Sequence, residues 1–298
     1  MNLEILKTYV QVIQSGSFSS AATLLKLPKS TVSRSISRLE DESGTKLLIR
    51  TTRSLKMTEA GRLLFENCVG PIQALDEAHK SIRGTDSAVS GLLRITAPED
   101  LGTHVISSEI AKIRRDFPLL KFEITYTDRV IDMVQEGYDI AFRVGKLPPT
   151  RLRSQKMGEV ILILVATPEY LSQHKKIQSP EDLSAHDCLS YSFGGANLKW
   201  TLKSAKGAES VAINPKITSN QMTSLLRMSL ESAGVAFVPA YLCREYLASK
   251  KLQHVLPTWH GNPFQVSMLS PLSVNMSARL RVATERLSVG IRFALKEQ

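Results

Sequence analysis

The sequence predicts an α/β chain in which a small winged helix-turn-helix head and one long linking helix precede two α/β lobes that face each other across a cleft. Three observations predict it. Residues 28 to 44 read as a helix with an apolar stripe on one side and only hydroxyls and cations on the other. Residues 58 to 83 read as one long helix with a single apolar seam. From residue 92 onward, short apolar strands alternate with helical stretches, the pattern of a mostly parallel sheet covered by helices.

At 298 residues the chain suits two or three domains, and its 43% apolar content is enough to build their cores. The formal charge of +10 points only weakly to an anionic partner. The distribution of charge says more. Between Lys26 and Arg62 there are nine Lys or Arg (26, 29, 34, 38, 46, 50, 53, 56 and 62) against four acids (40, 41, 42 and 59). The opening residues lack the basic region and apolar run of an export signal, and no stretch is long enough to span a bilayer, so a cytoplasmic protein with no membrane partner is expected. Cys68, Cys188 and Cys243 are odd in number and without a CxxC pair, which indicates neither a disulfide framework nor a metal site.

Leu3, Leu6, Val10 and Ile13 recur at helical spacing up to a stop at Ser15-Gly16. Ser17 is a natural N-cap for a second helix, whose apolar face is Phe18, Ala21, Ala22 and Leu25. Pro28 opens the third. There Val32, Ile36 and Leu39 form the inner stripe, while Lys29, Ser30, Ser33, Arg34, Ser37 and Arg38 lie outside. The acids wait until Glu40, Asp41 and Glu42, where the helix dipole disfavours them, and Gly44 can close the helix in a left-handed conformation. Such an outer face is either a solvated surface or one that sits in a DNA major groove, with Ser near phosphates and Arg within reach of guanine edges. Residues 46 to 57 read as a two-stranded wing with Arg50, Thr51, Thr52 and Arg53 at its middle.

Thr58 caps the long helix, and Leu64, Cys68, Ile72, Leu75, His79 and Ile82 form its seam. A second copy of the chain is the simplest partner for that seam, although Pro71 should kink the helix. Gly84 to Gly91 is the linker. Strands are then expected at residues 92 to 97, 122 to 127, 139 to 144, 160 to 166, 235 to 238 and 264 to 269, with a hairpin over 199 to 213. Helices are expected at 105 to 117, about 131 to 136, from 168, 221 to 232, after Pro239 and at 278 to 295. Two lobes built this way form a cleft of the kind that closes around small ligands by hinge motion.

Gly16-Ser-Phe-Ser-Ser-Ala-Ala, Ser30-Thr-Val-Ser-Arg-Ser-Ile-Ser-Arg-Leu-Glu, Gly44-Thr-Lys-Leu-Leu-Ile-Arg and Leu55-Lys-Met-Thr-Glu-Ala-Gly, in this order, resemble the N-terminal signature of the LysR-type transcriptional regulators. Gly91-Leu-Leu-Arg-Ile-Thr-Ala-Pro, Gly137-Tyr-Asp-Ile-Ala-Phe-Arg-Val-Gly, Ala166-Thr-Pro-Glu-Tyr-Leu and Gly234-Val-Ala-Phe-Val-Pro resemble that family's effector-binding part. The resemblance implies a winged helix-turn-helix DNA-binding domain at 1–58, a dimerising linker helix at 59–83, a hinge at 84–91 and a periplasmic-binding-protein-like effector domain at 92–298. Within the last, lobe I would hold 92–163 and 267–298 and lobe II 164–266. It further implies double-stranded operator DNA and a small-molecule effector as partners, assembly as homodimer or homotetramer, and no cofactor beyond a co-inducer of unknown identity. One departure is Pro28, where relatives often carry a Ser cap; proline is preorganised for a helix start, so the helix should persist without it.

Position by position, the resemblance assigns Lys29, Ser30, Ser33, Arg34 and Arg38 to the groove and Arg50, Thr52 and Arg53 to the wing, with Ser17 and Ser19 as helix caps. To the cleft it assigns Thr96, Pro98, Asp100, Arg143, Val144, Phe193, Asn220 and Pro239, within a lining that includes the segment from Tyr191. Arg143 could receive a carboxylate ligand or pair structurally with Asp100 or Asp128. An enzyme is not expected: there is no GxSxG, HExxH, Walker or dinucleotide motif, and the six histidines are scattered. A solute receptor leaves the first ninety or so residues unexplained, and a purely architectural DNA protein has no use for a two-lobed cleft.

Overall fold

The computed structural model describes residues 2–50, 55–82, 89–129, 131–133, 136–150, 152–192, 199–271 and 276–296, apart from the side chains of 50, 73, 74 and 76–82. The head begins with α1 (Leu3–Gln14), α2 (Phe18–Leu25) and α3 (Lys29–Ser43). Each terminus has a local cause. The Asn2 side chain accepts from the Glu4 N–H and Ser17 Oγ accepts from the Ser20 N–H, while Gly16 and Gly44 take φ of 68° and 64°. Ser17 is thus a cap, but Ser19 lies inside α2. No side chain caps α3 at Pro28, and the helix forms nonetheless, as proline's fixed φ allows.

Val32, Ile36 and Leu39 are fully buried against Tyr9, Val12 and Ala21 in one small core. The wing is the antiparallel pair β1 (Leu48–Arg50) and β2 (Leu55–Met57), in register Leu48 to Met57. α4 (Glu59–Ile82) follows, capped by Thr58 Oγ1, which accepts from the Gly61 N–H, and it carries Pro71 inside it. Its expected seam is shared. Leu64, Phe65, Cys68 and Ile72 pack on the head's own core, whereas Leu75 is exposed; the side chains of His79 and Ile82 lie outside the described residues.

The next strands alternate with helices: β3 (Gly91–Ala97), α5 (Glu99–Leu101), α6 (Ser107–Asp116), β4 (Leu120–Tyr126), β5 (Ile140–Val144) and β6 (Arg153–Val160). A π-helical turn, Gly102–Ile106, joins α5 to α6, so the helical stretch starts six residues before the expected Val105. There the Tyr126 ring packs where a side chain at Gly102 would be, and its hydroxyl reaches Gly102 O and Ser107 Oγ. Of the helix expected near 131 to 136, residues 134 and 135 lie outside the described residues; across them the Glu136 N–H bonds Asp132 O, the i to i−4 spacing of a helical turn, and the Tyr138 N–H bonds Met133 O.

The second half contributes β7 (Leu162–Ala166), α7 (Pro168–Gln173), a 3-10 turn (Pro180–Ala185), β8 (Cys188–Tyr191), β9 (Lys199–Ser204), β10 (Gly207–Ala212), β11 (Pro215–Ser219) and α8 (Met222–Leu230). After these come β12 (Val235–Pro239), α9 (Ala240–Ala248), β13 (Gln253–Val255), β14 (His260–Gly261), β15 (Phe264–Ser270) and α10 (Ala278–Lys296). One five-stranded sheet runs β4-β3-β5-β15-β6 and another β11-β8-β12-β7-β13, with a three-stranded sheet β10-β9-β14 beside the second. Each large sheet has three parallel strands on one side, β4-β3-β5 and β11-β8-β12, and two strands joined by antiparallel pairings on the other, and the chain crosses between the two sheets twice. Those crossings fall at residue 161 and at 262–263, slightly ahead of the expected 163/164 and 266/267, so β7 and β15 each belong whole to one sheet. No helix among the described residues is long and apolar enough to cross a membrane.

Candidate functional site

The outer face of α3 is as cationic as its sequence implies. Lys29, Ser30, Arg34 and Arg38 are exposed and Ser33 is half-buried, opposite a stripe with no exposure at all. Arg38 is not free. Its Nε donates to Glu42 Oε1 at 2.9 Å, an i,i+4 pair that gives the face one acid at its C-terminal end. Arg34 forms no ion pair among the described residues and stands alone at the centre of the face.

Glu40 accounts for the misplaced acids. Its carboxylate is 4% exposed and accepts from the N–H groups of Leu47 and Leu48 at 3.0 and 3.1 Å and from Lys46 Nζ at 2.8 Å. Burial raises its pKa, but the bonds from Lys46 and the two amides outweigh that and hold the acid below its ordinary range. The helix that carries the cationic face is therefore bolted to the first strand of the wing. A second brace runs from Tyr9, fully buried, whose hydroxyl donates to Gly61 O at 2.7 Å and fixes the start of α4. Of the expected wing contacts, Thr52 and Arg53 lie outside the described residues, as does the side chain of Arg50, whose backbone ends β1.

The other candidate is a cavity of about 550 Å³ between the two large sheets. Of the residues expected there, Pro98, Asp100, Val144 and Pro239 line it. Thr96 is wholly buried beneath, Asn220 is exposed beside the lining residues Gln221 and Met222, and Phe193 lies outside the described residues. Arg143 does not line it. Its guanidinium donates to Phe142 O at 2.6 Å and to Thr96 Oγ1 at 3.3 Å, and it lines a different cavity of about 650 Å³ that reaches Arg62 of α4. The expectation of Arg143 as an anion receptor at the mouth of the first cavity is corrected accordingly: the two cavities share Val144 and Asp128, so Arg143 lies next to the first cavity without lining it.

The lining that sequence reasoning missed is acidic and aromatic. Glu99 and Asp128 join Asp100, and Trp200, Phe237 and Phe264 join Tyr191. Alternation along β9 offered a signal for Trp200, since it is the buried position between exposed Lys199 and Thr201. Two bonds tie the lobes together over the cavity: Thr223 Oγ1 donates to Glu99 Oε2 and the Tyr241 hydroxyl to Asp100 Oδ2, both at 2.7 Å. Burial, with Glu99 adding, pushes the Asp100 carboxyl up despite the Tyr241 bond. Asp128 rises to about 6 through burial and the charges of Asp100 and Glu99, with Arg143 pulling the other way. Tyr191 is pushed up to about 12, first by burial and then by Asp128 and Asp100. Among the described residues, no group of three or more His, Cys, Asp or Glu could hold a metal ion.

Residues 3–62 match the family model described as bacterial regulatory helix-turn-helix protein, lysR family, and residues 86–288 match that of the LysR substrate binding domain. The chain is 32% identical to the HTH-type transcriptional regulator PtxR of Pseudomonas aeruginosa, over 96% of this chain and 92% of PtxR. Among solved structures it resembles the full-length virulence activator AphB of Vibrio cholerae, with a TM-score of 0.61 and 28% identity over 96% of this chain and 98% of AphB. Full-length LysG of Corynebacterium glutamicum with bound effector Arg gives a TM-score of 0.70 over 100% of this chain and 99% of that one; at 17% identity this likeness shows the fold alone.

Proposed function

Because this chain belongs to the LysR family of bacterial transcriptional regulators, with a helix-turn-helix DNA-binding domain and a substrate-binding effector domain, we propose which of its residues read DNA and which receive the effector. Lys29, Ser30, Ser33 and Arg34 enter the major groove, Arg34 reaching a base edge and the hydroxyls and Lys29 holding phosphates. Arg38, steered by Glu42, contacts the backbone, and Arg50, Thr52 and Arg53 of the wing follow the adjacent minor groove. The observation that carries this reading is the contrast across α3: a stripe of three side chains with no exposure, opposed by exposed cations.

The effector enters the cavity beside Pro98, Asp100, Val144 and Pro239 and alters how the two lobes sit, which resets the spacing of two heads on DNA. Residues 1–58, 59–83 and 92–298 act as reader, linker and sensor, with 84–91 as the hinge. Self-association as a homodimer or homotetramer uses the exposed part of α4 around Leu75. In this role the protein works in the cytoplasm, catalyses no reaction and needs no cofactor. A footprint of the purified protein on DNA upstream of its own gene tests the reading. Protection of two half-sites about one helical turn apart, lost in Arg34→Ala, supports it; even protection of all sequences that vanishes with salt would contradict it.

A further inference from the structure

We infer that the cleft selects an organic cation, an amine or guanidinium compound with an apolar body, and not an acid. The inference rests on reading this cavity as the effector site; the cavity makes the site, and its lining chooses the charge. Three carboxylates, Glu99, Asp100 and Asp128, line it against one described cation, Lys199. The guanidinium of Arg143 attracts Asp128 but is not part of the lining, and it is engaged by Phe142 O and Thr96 Oγ1.

The carboxylates are not equivalent. Glu99 accepts from Thr223 and Asp100 from Tyr241 across the cleft. Asp128 is exposed, and among the described residues the charges acting on it are Asp100 and Glu99, which repel it, and Arg143, which attracts it. A ligand cation beside Asp128 relieves that repulsion, whereas a ligand carboxylate adds a fourth negative group to the same space. The apolar part of the ligand has its own surfaces. Val144 and Phe264, 37% and 40% exposed, are large apolar side chains on the cavity wall, and behind them Trp200 and Phe237 pack ring against ring at 5.3 Å. Aromatic faces accept a cation as well as an apolar body. A metal ion is a poor alternative, because the three acids do not converge as ligands among the described residues.

The test is calorimetry on the full-length protein with tyramine, agmatine and 3-(4-hydroxyphenyl)propionate, the last an acid of the same shape as tyramine. Binding of an amine but not of the acid is expected, weakened at least about tenfold in Asp128→Asn and restored in Asp128→Glu. Thermal unfolding of both variants checks that they remain folded. Binding of the acid alone, abolished in Trp200→Ala, would overturn the charge assignment and leave the cleft as an effector site. Failure of all three compounds to bind at millimolar concentration would overturn this inference, and an unchanged operator footprint in the same preparation would show that the DNA-reading role stands apart from it.

Discussion

Glu40, three residues from the end of α3, accepts a hydrogen bond from the backbone N–H of Leu47 at 3.0 Å, so the helix that carries the cationic face is tied to the wing that flanks it. The same carboxylate takes the Leu48 N–H and Lys46 Nζ. Its place near the helix C-terminus opposes the helix dipole, and the cost, of a few tenths of a kcal/mol to about 1 kcal/mol, is offset by three bonds to a charged acceptor.

Removing that acceptor strands two buried amides. Glu40→Ala should destabilise the head by about 2–3 kcal/mol, and Glu40→Gln, whose carbonyl can still accept, by about 1 kcal/mol. Urea unfolding followed by circular dichroism measures both. The pH dependence has a definite sign. A carboxylate held below its ordinary value contributes stability that is fully present above that value and is lost as pH falls through the lower folded one, and the Gln variant should not show this loss.

Arg34 and Arg38 sit one turn apart on the same face but should differ in effect. Arg38 already has a partner in Glu42, so Glu42→Gln should tighten binding to any duplex by about threefold at low salt, through loss of one negative charge near the phosphates. Fluorescence anisotropy with operator and scrambled duplexes reads this as an equal gain on both.

Asp128 yields a second pH signature, opposite to that of Glu40. Its folded pKa of about 6 exceeds the ordinary value of 3.8, so the folded protein holds the proton more tightly and stability falls as pH rises from about 4 to about 6. Asp128→Asn should therefore be more stable than the parent near neutral pH, by about 1 kcal/mol once solvent screening of this exposed carboxylate is allowed for, and equal to it below about pH 4. Denaturant titrations at three pH values test the convergence.

The cysteines should be quiet. Burial pushes the thiols of Cys188 and Cys243 up to about 12, with Asp187 adding to the former, and both are fully buried. Iodoacetamide near neutral pH should leave them unmodified in the native protein and label them on unfolding.

The head was legible because its signals are local. A stripe at i, i+4 and i+7, a serine cap and a terminal glycine each act within a few residues, and Val32, Ile36, Leu39, Ser17 and Gly44 behave as their spacing implies. What was not legible depends on partners far along the chain. Glu40 looked like an acid in an unfavourable place until β1 arrived to use it. The π-turn at Gly102 is packed and hydrogen-bonded by Tyr126, twenty-four residues on. The strands β6, β8 and β11 were missed because they are short or polar and are held by neighbours from other parts of the sequence. In the cleft, residue type marked Arg143 as charged and near the site, but its bonds to Phe142 O and Thr96 Oγ1 depend on how two neighbouring strands pack. Glu99, which opens α5 after β3, and Asp128, in the loop after β4, come from different parts of the chain, so no single stretch displays them together.

The most direct measurement of the central claim, that the outer face of α3 reads sequence, is the ratio of affinities for the operator and for a scrambled duplex in the parent and in Arg34→Ala. The account predicts that Arg34→Ala costs about 1–3 kcal/mol on the operator and far less on the scrambled DNA, so that the ratio collapses. An equal loss on both duplexes, with the ratio intact, would mean that Arg34 only meets phosphate and that sequence is read elsewhere.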